Sequence, residues 1–72
     1  MNVGDTVLLR NSWGNHFTEG IILSKHFSKE MNMWYYECKF RYPNNRGKIE
    51  NQQRTFRGTD VTSIIKYKLS LL

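Results

Sequence analysis

At 72 residues the chain holds at most one domain with a small core, and with 39% hydrophobic and 14% aromatic residues a few large rings must supply much of the buried area. Eleven Lys and Arg against six Asp and Glu leave a net charge of +5, which favours polyanionic partners, and a lone cysteine, Cys38, excludes an internal disulfide. No Cys/His cluster has metal-ligand spacing, no glycine-rich loop is built for phosphate, and no carboxylate pair or nucleophile–base pair marks a catalytic centre, so neither an enzyme nor a cofactor is expected.

The opening "MNVGDTVLLRNSWG" has no basic segment followed by a long apolar run. Neither a secretory leader nor a membrane anchor is expected, and the reading is of a soluble chain in the cytoplasm, nucleoid or nucleus. Within this stretch "DTVLLR" predicts a first strand at Thr6–Arg10, entered through the turn pair Gly4-Asp5 and left through the loop "NSWGN". "EGIILSKHF" predicts a second strand from Glu19 to Phe27, with Gly20 permitting a bend or a close backbone approach. Its facing stays open, because Ile21, Ile22 and Leu23 make both parities apolar.

After the polar turn "SKEMN", the segment "MWYYECKFRY" predicts the third and longest strand. Period-two alternation points Trp34, Tyr36, Cys38, Phe40 and Tyr42 inward, and Tyr35, Glu37, Lys39 and Arg41 outward. "YPNNRGK" is turn chemistry, and "IENQQRTFRG" predicts a strand near Gln52–Arg57 anchored by Phe56. "GTDVTSII" predicts a tight or single 3₁₀ turn that places Val61 inside, followed by a last strand at Thr62–Ile65. The tail "KYKLSLL" alternates Tyr67, Leu69 and Leu71 with Lys66, Lys68 and Ser70. It either extends the last strand or presents apolar side chains to a protein partner or a second copy of the chain.

These five short strands, taken together with the "GD-x-V" start, the Trp-Gly loop, the Gly-Ile-Ile second strand and the "DVTSI" finish, resemble the SH3-like barrel superfamily. "VGDTVLLRNSWGNHFTEGIIL" looks like the opening of Tudor-type and KOW-type modules, and "RTFRGTDVTSI" is similar to the Tudor-type closing strand, 3₁₀ turn and final strand. The resemblance implies an all-β fold, a small five-stranded SH3-like barrel over residues 1–65, with 66–72 as a strand extension or tail. Carried over from the Tudor pattern, an aromatic cage for a methylated lysine or arginine would draw on Trp13, Phe17 and Phe40. After the third strand, where that pattern usually has an acidic residue or Asn, Asn44 or Asn45 could substitute, but the chain departs from the pattern in surrounding them with Arg41, Arg46 and Lys48, which repel a cation. The KOW pattern implies contact with RNA, DNA or protein through the first loop and adjoining strands.

The charge distribution favours the second alternative. Residues 1–23 sum to −1, whereas from Lys25 onward the chain sums to +6. Trp13 offers a ring for base stacking, Asn11, Asn15 and His16 offer hydrogen bonds, and Tyr35, Lys39, Arg41, Arg46, Lys48, Arg54 and Arg57 form an aromatic and basic surface for a DNA or RNA backbone. The expected function is therefore non-enzymatic nucleic-acid binding through the first loop and the outer face of the third and fourth strands. The alternative is a protein-interaction module or small stand-alone regulator of a larger machine, working through a peptide-recognition surface or the apolar tail.

Overall fold

The computed structural model describes residues 1–11 and 16–65. They form one antiparallel sheet of five strands, Thr6–Arg10 (β1), Phe17–Ser28 (β2), Met33–Pro43 (β3), Ile49–Arg57 (β4) and Val61–Ser63 (β5), in the order β4-β3-β2-β1-β5. β4 and β5 are its two edges, so the sheet is open.

Local chemistry explains the turns. Gly4, at φ +90°, closes the turn in which the Asp5 amide donates to the Asn2 carbonyl at 3.0 Å, while the Asn2 amide donates to the Asp5 carboxylate. Between β3 and β4 the Asn44 side-chain oxygen accepts from the Arg46 and Lys48 amides at 2.8 and 3.0 Å, and Gly47 takes the left-handed φ of +77° that ends the turn.

The core is one-sided. Val7, Leu9, Ile22, Tyr36, Cys38, Phe56 and Val61 form a single buried cluster, with Phe40 packed against it through an edge-to-face contact with Phe56 at 5.7 Å. Directly paired residues share a face, and the register pairs Leu9 with Val61, Ile22 with Cys38, and Tyr36 with Phe56. Every strand therefore contributes to one inner face, on which a single cluster joins residues of β1, β2, β3, β4 and β5.

A β-bulge settles how β2 faces. Pairing with β3 shifts between Ile22 and Ser24, leaving Leu23 as the extra residue. Before the shift odd positions face outward with Lys39, and after it even positions do, with Glu37 and Tyr35. Ile22 is thereby buried completely while Ile21, its neighbour in the chain, is 37% exposed on the outer face. Gly20 is the point of close approach: a Cβ there would lie 2.5 Å from Leu9 Cδ1 and 2.9 Å from the Lys39 carbonyl oxygen.

Four expectations are corrected. β2 runs longer than its apolar run and, at twelve residues, exceeds the eleven of β3. β4 begins at Ile49, because the turn hands the chain directly into pairing with Pro43. The last strand starts at Val61 and stops at Ser63, since β1 offers only Val7, Leu8 and Leu9 as partners, and Ile64 and Ile65 take helical backbone. Trp34 keeps its inward parity, opposite Phe27, yet is 43% exposed: the β2–β3 hairpin projects past the end of β1, which pairs with β2 only as far as Ile21. Its ring instead meets Phe27 edge-on at 5.5 Å, stacks on Tyr36 at 6.3 Å, and carries Lys25 Nζ 5.4 Å from its centroid. The tail at 66–72 lies outside the described residues.

Candidate nucleic-acid interface

The register sorts the candidate residues by face. On β3 and β4, Tyr35 pairs with Arg57, Glu37 with Thr55, Lys39 with Gln53, and Arg41 with Asn51, and all eight occupy the outer face. Lys39, Arg41 and Arg57 are exposed there, and Tyr35 lies half-buried in a parallel stack on His26, with centroids 5.5 Å apart and planes at 12°. Residues two apart on a strand are separated by about 6.7 Å, so Tyr35 to Arg41 spans about 20 Å. Arg46 and Lys48 extend this basic line into the β3–β4 turn and are exposed.

The outer face is also concave where β1, β2, β3 and β4 run together. A trough of about 740 Å³ lies there, lined by Thr6, Glu19, Ile21, Lys39, Arg41 and Gln53 among others. Its polar lining is mostly amide and cation. One carboxylate, that of Glu19, also lines the trough, and Glu37, on the same face outside it, accepts a hydrogen bond from the Gln53 side-chain amide. Among the described residues, no lysine or arginine is engaged in an ion pair, so these cations keep their charge for an incoming anion.

Two candidates, Arg54 and Phe40, are placed on the opposite face. Arg54 pairs with Cys38 and so sits on the inner face, where it borders a groove of about 410 Å³ floored by Phe40, Tyr42 and Phe56. Strand parity separates it from Arg57, with which the sequence groups it as one basic surface. Phe17 pairs with Arg10 on the outer face and is 52% exposed, whereas Phe40 pairs with Gly20 on the inner face and packs on the core. These two rings cannot form the walls of one cage. Trp13 and Asn15 fall outside the described residues, and His16 is exposed at the point where the loop returns, its carbonyl accepting from the Asn11 amide at 3.0 Å.

Sequence reasoning missed His26. The signal was the bulge, which inverts the parity of β2 and turns His26 onto the same face as Tyr35, and a bulge among three consecutive apolar residues leaves no mark in the alternation.

Cys38 is wholly buried, and desolvation, with the neighbouring Glu37 charge adding to it, raises its thiol from an ordinary 9.0 to about 11. It is an inert core residue at neutral pH. Among the described residues no group of three or more His, Cys, Asp or Glu side chains is placed to hold a metal ion, and no helix is long and apolar enough to cross a membrane.

Comparison with protein-family models, with curated proteins and with solved structures returns no match, so the functional reading rests on the chain's own residues.

Proposed function

We propose that this protein is a non-enzymatic binding module of SH3-like type that engages nucleic acid through the outer face of β2, β3 and β4. The meander order with β5 returning beside β1, and the 3₁₀ turn Gly58–Asp60 before the last strand, support the SH3-like reading. The observation that carries the function is the line of Lys39, Arg41 and Arg57, free of ion pairs, on the face that also presents the Tyr35–His26 stack. Cations without internal partners release counterions when a phosphate backbone replaces them, and an aromatic pair offers a platform for a base. Asn51 and Gln53, between the cations, are donors and acceptors suited to phosphate, sugar or base edges. Contact through backbone charge and stacking gives modest sequence preference.

The test is fluorescence anisotropy with labelled single-stranded and duplex oligonucleotides across a salt series. The triple variant Lys39→Gln, Arg41→Gln, Arg57→Gln is expected to flatten the slope of log affinity against log salt by about 2 to 3, in proportion to the contacts removed. Lys25→Gln removes a cation on the inner face and leaves the slope within error. An unchanged affinity and slope in the triple variant would sink the assignment of this face, and no binding by the native chain would redirect the search to a protein partner.

A further inference from the structure

The two edges of the sheet are guarded differently. β5 is blunted by its shortness, at three residues, while β4 presents nine residues without proline, lysine or bulge, in unbroken register with β3 from Ile49 to Arg57. Such an edge carries a row of backbone donors and acceptors ready to accept another strand. Its side chains say which strand fits.

A two-fold axis perpendicular to the sheet pairs an edge strand antiparallel with its own copy, inner face beside inner face, and passes through a residue that faces itself. With the axis at Gln52, Glu50 of one copy stands opposite Arg54 of the other, and the same pair recurs on the far side of the axis. Both residues are exposed and both belong to the inner face, as their pairing with Tyr42 and Cys38 establishes. On the outer face the same register sets Asn51 against Gln53 and Ile49 against Thr55, with no like charges opposed. Neighbouring registers lose this complementarity. An axis at Gln53 leaves Glu50 facing Phe56, one at Asn51 puts Arg54 opposite Lys48, and an axis at Glu50 or Arg54 sets like charges together. Directly opposed residues bring their Cβ atoms to about 5 Å, close enough for each opposite pair to favour pairing and each like pair to resist it.

We propose that β4 is a self-association edge and that its occupant is the β4 strand of a second copy of this chain, in the register centred on Gln52. Two crossed Glu50–Arg54 pairs select that register, and the result is a continuous ten-stranded sheet. The proposal stands apart from the nucleic-acid reading, because Glu50 and Arg54 lie on the opposite face from Lys39 and Arg41.

The experiment is sedimentation equilibrium on nuclease-treated chain, so that nucleic acid does not bridge copies. Pairing along one edge buries less than a standard interface, so a reversible dimer with a dissociation constant between about 10 μM and 1 mM is expected. Glu50→Arg and Arg54→Glu should each weaken it by about tenfold or more, since each places like charges opposite one another twice. The double variant E50R/R54E restores both pairs and should return to within about threefold of the native constant. An equal mixture of the two single variants should associate more tightly than either alone, because each then supplies what the other lacks. Three results would overturn the proposal: a chain monomeric throughout this range, a dimer indifferent to the single reversals, or a double variant no tighter than the singles. If a single variant failed to fold, the double variant alone would still decide, supporting the register by dimerising and refuting it by remaining monomeric.

Discussion

On the inner face of the sheet Ile22, Tyr36, Cys38 and Phe56 touch one another and exclude water, whereas on the outer face Ile21, Tyr35, Lys39 and Arg41 occupy alternate positions of the same strands and remain accessible. One backbone thus carries two chemistries a residue apart. The core cluster belongs to one parity and the proposed binding to the other, with Leu8 of β1 the buried exception on the outer side, so substitutions on the two faces of β2, β3 and β4 should have separable consequences.

The sharpest way to break that contrast uses the adjacent isoleucines. Ile22→Ala empties a site with no solvent exposure and should cost about 2–5 kcal/mol of unfolding free energy, while Ile21→Ala should cost about 1 kcal/mol or less. Urea denaturation of both variants measures the difference. Equal losses would mean that β2 does not invert its facing at Leu23.

A smaller effect is expected at Gly20→Ala. The added methyl would meet Leu9 Cδ1 at 2.5 Å and the Lys39 carbonyl at 2.9 Å. The leucine tip can move, but the carbonyl belongs to a strand paired on both sides, so overpacking should destabilise by about 1–3 kcal/mol. A neutral or stabilising result in the same denaturation series would show that β1 and β3 are not drawn together at this point.

A third effect concerns pH. The fold raises the Cys38 thiol from 9.0 to about 11, and so favours its neutral form. Its contribution is complete below about pH 9 and is lost as the pH climbs towards 11, because the unfolded chain releases that proton first. Comparing native chain with Cys38→Ala isolates it: the native protein should lose stability more steeply across this window. Parallel pH profiles would mean the thiol is not buried as described.

Much of the fold was legible in the residues. β1 was read at its observed bounds, the alternation of β3 placed Tyr36 and Cys38 inside, and Phe56 and Val61 were identified as the anchors of their segments. Cys38, Phe56 and Val61 have polar neighbours on either side, which is the condition for period-two reading to work, and β1 is marked instead by a short apolar run between turn residues. The candidate interface was half legible: Lys39, Arg41 and Tyr35 were set on the outer face by the same alternation. Arg54 was set there as well, because "NQQRTFR" has a single apolar residue, Phe56, and too little contrast to show which arginine shares its face.

Strand number, turn positions and the basic excess were thus determined by local composition: turns need particular residues at particular dihedral angles, and charge is additive along a chain. Which side of the sheet each described cation reaches, that Trp34 stands past the end of β1, and that β4 is left as a long open edge among the described residues depended on the pairing of segments far apart in sequence. A single extra residue at Leu23 reverses the facing of the rest of β2, and the length of β1 sets where burial stops. Both are properties of partners, and no residue carries them alone.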